Sequence, residues 1–189
     1  LNAGKHVLCE KPMATTVEDA IAMKEAAERN GKLLMIGFVR RFGDDMKLFK
    51  DFQASNYLGD VYYAKATYLR RNGNPMGWFG DKKRSGGGPL IDLGVHMIDL
   101  AIWLMGNPTP VSVSGCTYTK FADNDVSDSV HSSFGEKKAD GIFDVEDLAM
   151  GFIRFDNGAC LQIEFSWASN IEKENVFVEL RGSKAGINF

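Results

Sequence analysis

Apolar residues fall in short blocks along the first forty or so positions and in strict alternation near the end of the chain, and the two patterns predict different architectures. The run HVLC (6–9) reads as a short buried strand. TTVEDAIAMKEAAERNGK (15–32) follows, with apolar positions at helical spacing, a capping box in Thr15 and Glu18, and a stop at Asn30-Gly31. LLMIGF (33–38) is a second buried strand. Strand, helix and strand with short joints form a βαβ unit and predict parallel pairing. Two strands are too few for a doubly wound sheet, so residues 1–38 read as the end of an α/β domain that begins elsewhere.

The pattern then changes. DDMKLFKDFQASN (44–56) predicts an amphipathic helix with Met46, Phe49 and Phe52 on one side, and DVYYAKATYLRR (60–71) predicts a strand. A glycine-rich loop (72–88), an apolar helix, a strand near 110–120 and a long polar segment (121–144) suited to a mobile loop come next. DLAMGFIRF and ACLQIEFSW flank Asp156-Asn157-Gly158, a strong hairpin signal. In its second arm Leu161, Ile163, Phe165 and Trp167 face one way, and Gln162, Glu164 and Ser166 the other. Such alternation belongs to an antiparallel sheet with one covered and one open face. VFVELRG (176–182) adds a strand, so 39–189 reads as an α+β domain with an open, mostly antiparallel sheet.

Composition narrows the function classes. The 189 residues carry a net charge of −3 and no basic stripe, which excludes a nucleic-acid partner. The runs DKKR (81–84) and EKKAD (136–140) are short and mixed, as solvated loop tips are. Cys9, Cys116 and Cys160 form no C-x-x-C pair, which argues against a disulfide framework or a zinc site and for the reducing cytoplasm. No uninterrupted apolar run reaches the ~18 residues of a membrane span. LNAGKHVLCEKP lacks a signal peptide's regions and an initiator Met, so the chain reads as cut from a longer one.

Chemistry concentrates in two runs. In GGGPLIDLGVHMIDLAIWLMG (86–106), Gly88 and Pro89 suit a helix start. Asp92, His96 and Asp99 then recur at i, i+4 and i+7 on one stripe. The stripe is either a solvated edge or the wall of a polar cavity. Gly86, Gly87 and Gly88 allow other backbone to approach closely, and a histidine beside a carboxylate can exchange a proton near neutral pH. One His and two Asp lack a fourth metal ligand, so no metal is expected. The second run, CEKP (9–12), follows a predicted parallel strand, where open α/β sheets bind ligands; Glu10 and Lys11 there are either a nucleotide-facing pair or surface charges. No G-x-G-x-x-G or Walker loop occurs, hence no phosphate cradle. Arg40, Arg41, Arg70, Arg71 and Arg84 are either anion readers or surface solvation.

Taken together, AGKHVLCEKPMATT and GGGPLIDLGVHMIDLAIWLMG, with IGFVRRF (36–42), LGDV (58–61), DVEDLAMGFIRFDNG (144–158) and GSKAG (182–186), resemble the glucose–fructose oxidoreductase/inositol dehydrogenase (Gfo/Idh/MocA) family across nearly the whole chain. The resemblance implies a remnant of a Rossmann domain for NAD or NADP at 1–38 and a C-terminal domain at 39–189, incomplete at its end. It implies hydride transfer at a hydroxyl or carbonyl carbon of a sugar, cyclitol or related small molecule. It casts Lys11 as the active-site lysine, Glu10, Lys11 and Pro12 as the nicotinamide side, and Trp78 as an aromatic near that ring. His96 becomes the acid/base, Asp92 its orienting partner, and Asp99 a substrate-hydroxyl contact. Since the family's glycine fingerprint is not among these residues, the chain alone is expected to bind dinucleotide poorly and turn over little. Homo-oligomerisation through the open sheet is expected. The competing class is a non-catalytic sugar-binding or dimerisation scaffold of the same fold.

Overall fold

Each short apolar block of the first segment becomes a strand in the computed structural model, which describes residues 1–75, 77–122 and 142–189. The chain divides into two compact units, Leu1–Arg41 and Phe42–Phe189. In the first, β1 (Val7–Cys9) and β2 (Leu34–Ile36) pair in parallel, Val7 opposite Leu34 and Cys9 opposite Ile36, joined through α1 (Val17–Asn30). The α1 cap lies one residue beyond the expected Thr15–Glu18 box. Thr16 Oγ1 accepts from the Asp19 amide at 3.1 Å and donates to Asp19 Oδ2 at 2.8 Å. The two pairs share the same spacing, and Thr16 with the shorter Asp19 closes the loop within one turn. Gly31, at φ 58°, ends the helix as expected.

The second unit is built on one sheet. Its elements in chain order are α2 (Met46–Ala54), β3 (Val61–Leu69), the single turn α3 (Lys82–Ser85), α4 (Val95–Leu104), β4 (Pro110–Tyr118), β5 (Leu148–Phe155), β6 (Cys160–Ser166), β7 (Asn175–Gly182) and β8 (Gly186–Asn188). The strands lie in the order β4-β5-β6-β3-β7-β8, an open sheet. Only β3–β6 is parallel, and the other pairings are antiparallel. The expected hairpin is β5–β6, with Gly158 at φ 84° in its turn.

One face of the sheet is covered. Ala64 and Ala66 of β3, Leu161, Ile163 and Phe165 of β6, and Val178 and Leu180 of β7 form one core with Met97, Leu100, Ala101 and Leu104 of α4. The approach is close: a Cβ on Gly94 would stand 2.6 Å from a Phe165 ring carbon. On the other face, Met150 and Phe152 are 37% and 45% exposed. There Tyr63 donates its hydroxyl to Gln162 Oε1 at 2.6 Å, with the Arg181 guanidinium over its ring at 4.7 Å. Burial raises the Tyr63 hydroxyl's pKa above the ordinary value, against the opposing pull of Arg181.

Three expectations change. Ser166 is buried rather than on the open face, because residues 70–73 fold over it: its Oγ donates to Arg70 O at 3.4 Å and accepts from Ser169 Oγ at 2.8 Å. Arg70 is 6% exposed and therefore no surface group. It donates to Gly73 O at 3.3 Å and stacks over Tyr68. The glycine-rich stretch 72–88 is not loop throughout, since it contains a 3₁₀ turn at Gly77–Gly80 and then α3. The stretch Lys82–Leu104, helical on both sides of Gly86–Gly88, is long and apolar enough, by length and composition alone, to cross a membrane. Within it Met97, Leu100, Ala101 and Leu104 belong to the core of the sheet, as in a core helix. The polar stretch 121–144, with EKKAD, falls largely outside the described residues.

Phe165 is fully buried, so Phe165→Ala is expected to lower the unfolding free energy by about 3–5 kcal/mol in denaturant titrations. A loss below about 1 kcal/mol would remove this ring from the core.

Candidate active site

Glu10, Lys11 and Pro12 belong to the first unit; Trp78, Asp92, His96 and Asp99 belong to the second. Because β1 ends at Cys9, the Glu10-Lys11-Pro12 run leaves the carboxyl end of a parallel strand. Gly37 occupies the same position past β2 and donates its N–H to Cys9 O at 2.7 Å. The Glu10 carboxylate lies against it: a Cβ on Gly37 would meet Glu10 Oε2 at 3.2 Å. Lys11 and Pro12 are half-buried, joined by a cis peptide, and Glu10 is exposed. This edge is where open parallel sheets take their ligands.

In the second unit the glycine triplet does what its composition predicts. Gly88 lies so close to residue 146 that an added Cβ would stand 1.9 Å from the Glu146 carbonyl oxygen. The Glu146 carboxylate accepts from the amides of Gly88 at 3.0 Å and Leu90 at 3.2 Å. Helix starts leave amide donors without intrahelical partners, and a carboxylate is a favoured acceptor there. The neighbouring residues fasten the same region. Asp144 Oδ1 accepts from Lys82 N at 2.7 Å, and Asp147 Oδ2 accepts from the amides of Lys120 and Phe121.

The helix so fastened is not α-helical from its start. Leu90–Gly94 forms a π turn, closed by the Val95 amide on Leu90 O, and α4 begins only at Val95. Asp92 therefore stands on the π turn, while His96 and Asp99 stand on α4. All three are half-buried, so the stripe is neither a bare solvated edge nor fully core. Asp92 Oδ2 accepts from Trp167 Nε1 at 3.0 Å. His96 Nδ1 is shielded from solvent. Trp78, 43% exposed on the Gly77–Gly80 turn, stacks on Phe79 with centroids 4.3 Å apart. Among the described residues, no group of three His, Cys, Asp or Glu is placed to hold a metal ion.

Residues 46–188 match the GFO/IDH/MocA C-terminal domain, and residues 1–38 match the oxidoreductase family with an NAD-binding Rossmann fold. The chain belongs to the GFO/IDH/MocA oxidoreductase family. Among this member's relatives is the D-glucoside 3-dehydrogenase of Escherichia coli strain K12, 39% identical over 189 residues, or 98% of this chain and 52% of that protein. Levoglucosan dehydrogenase, solved in complex with NADH and levoglucosan, superposes with a TM-score of 0.81 at 28% identity, over 99% of this chain and 48% of the other. An oxidoreductase domain protein from Kribbella flavida superposes at 0.82 and 32% identity, over 99% and 48%. The chain thus spans about half the length of the relatives it matches.

Sequence reasoning missed two residues that brace this helix start. The pattern gives Glu146 no role beyond its place in DVEDLAMGFIRFDNG (144–158), and Trp167 only a place on one face of the hairpin's second arm. The acidic pair Glu146-Asp147 beside an apolar strand was the available signal for the first, since carboxylates there need donors. For Trp167 the signal was an indole at the end of a buried arm, whose N–H requires an acceptor.

Glu146→Ala removes the acceptor of two helix-start amides. It is expected to cost about 1–3 kcal/mol in denaturant unfolding, with Glu146→Gln recovering part of the loss. Equal stability of Glu146→Ala and the parent would show that the amides find other partners.

Proposed function

We propose that the full-length protein is an NAD- or NADP-dependent dehydrogenase acting on a hydroxyl or carbonyl carbon of a sugar, cyclitol or related small molecule. The observation that carries the reading is Asp92, gripped by Trp167 Nε1 on a glycine-opened π turn, four residues before His96. Family membership and the carbohydrate dehydrogenases among the relatives support it.

Oxidation of a secondary alcohol breaks the C–H and O–H bonds and leaves a carbonyl. When bound, the nicotinamide dinucleotide supplies the acceptor for the hydride, and in reverse the donor. His96 takes the hydroxyl proton at Nε2, since Nδ1 is shielded from solvent, alone or in relay with Lys11. A positioned acid/base of this kind contributes roughly 10²–10⁴ in rate. Asp92 orients the imidazole and stabilises its protonated form. The resemblance gives the Lys11 ammonium the role of stabilising developing negative charge. Asp99 receives a further substrate hydroxyl. No metal takes part in this scheme.

Glu10, Lys11, Pro12 and Trp78 would line the nicotinamide. The placement of Glu10 against Gly37, past the carboxyl ends of two parallel strands, fits that role. Residues 1–38 then form the closing βαβ part of the dinucleotide-binding domain and 39–189 the substrate domain. These 189 residues contain no G-x-G-x-x-G, so alone they bind dinucleotide weakly and turn over little. The reading is of a cytoplasmic enzyme with no nucleic-acid or membrane partner.

Oligomerisation through the open face rests on a separate observation, the exposed Met150 and Phe152 on that sheet surface. A binding or scaffold protein of this fold would use the same face without chemistry.

Lys11→Ala and His96→Ala in the full-length protein are each expected to lower kcat by at least about 10²-fold without unfolding it. The assay follows nicotinamide absorbance with NAD(H) or NADP(H) and a panel of sugars and cyclitols; near-normal turnover in both variants overturns the mechanism. Saturable sugar binding with no absorbance change by the parent favours the scaffold reading. In light scattering, the protein is expected at the mass of two or more chains.

A further inference from the structure

We infer that Trp167 is a positioning residue for Asp92: its indole N–H sets the orientation of that carboxylate. The inference rests on the functional reading above and extends it to a residue that the sequence pattern had assigned only to packing.

Trp167 is among the largest fully buried side chains of the protein. A buried indole N–H requires an acceptor, and here the acceptor is Asp92 Oδ2 at 3.0 Å. The donor has little freedom to move. The ring centroids of Phe79 and Phe143 lie 6.4 and 6.3 Å from that of the indole, with the planes inclined by 85° and 79°. The backbone is pinned on both sides, Trp167 N donating to Asp147 O at 3.0 Å and Gly73 N donating to Trp167 O at 2.7 Å. Leu93, on the same π turn as Asp92, packs with Trp167 and Val145 in a small second core. A fixed donor at this distance chooses one carboxylate oxygen and holds the side-chain torsion. An immobile Asp92 is what His96 needs from a partner that orients its ring.

Trp167→Phe in the full-length protein keeps an aromatic ring in the site and deletes only the donor. The expected result is a fall in kcat of about tenfold with KM within about twofold. In an Asp92→Asn background, Trp167→Phe is expected to change kcat no further, since the two residues act as a unit. A Trp167→Phe protein that is less stable but keeps the parent's kcat makes Trp167 a filler and overturns the proposal. Should that variant fail to fold, the indole ¹⁵N–H resonance of the unmutated Trp167 decides: it is expected to shift in Asp92→Asn, and a resonance indifferent to that substitution overturns the proposal. A fully active Asp92→Asn instead removes the functional reading, and this inference with it. An inactive Asp92→Asn beside an unchanged Trp167→Phe removes this inference alone.

Discussion

The descent of one apolar helix face onto the sheet constrains everything else in the second unit. Alanines at 64 and 66 leave room on β3, and Phe165 fills the space beside the hydrogen of Gly94. A helix seated that closely has no rotational freedom about its axis, because any turn drives a Cα into a ring or opens a void. Its polar stripe is thereby aimed by its apolar one. Asp92, His96 and Asp99 take their direction from Met97, Leu100, Ala101 and Leu104 on the same helical run.

The helix start solves a different problem. A π turn leaves amide donors to be satisfied and an irregular backbone to be held. The carboxylate of Glu146 meets two of those amides, and Asp144 and Asp147 tie the adjoining segments to the same stretch of chain. Trp167 completes the support from the sheet side. The result is a short irregular turn carrying a carboxylate, braced by a charged acceptor at one end and an indole donor at the other. Irregular turns of this kind recur where a side chain must be presented in a direction that a straight helix does not offer.

Much of this was legible in the residues. Alternation from Leu161 to Phe165 gave the covered face, Asp156-Asn157-Gly158 the hairpin, and Gly31 the helix stop, because each reports a local preference that the fold leaves intact. Gly88 was readable as a point of close approach, though not which residue approaches. What escaped depended on long-range contact. Ser166 obeys the strand period yet is buried, because residues 70–73 cover it. Arg70 looks like a surface cation and is packed on Tyr68. The α4 stripe was read as one continuous α-helix, and no propensity marks the wider first turn. Glu146 is separated from Gly88 by 58 positions, so no local pattern pairs them.

The parallel pairing at the middle of the sheet carries a consequence for how the protein is made. Tyr63 of β3 lies opposite Cys160 of β6, and the intervening chain holds α3, the π turn, α4 and the hairpin's first strand. That ladder closes a very long loop, and non-local closures of this sort are slow steps in folding. The helix bearing Asp92 and His96 has no complete floor to rest on until both flanking strands have met. Assembly of the stretch bearing Asp92 and His96 is therefore a late event on the ribosome-to-native route, gated by synthesis of residues some sixty positions downstream of it.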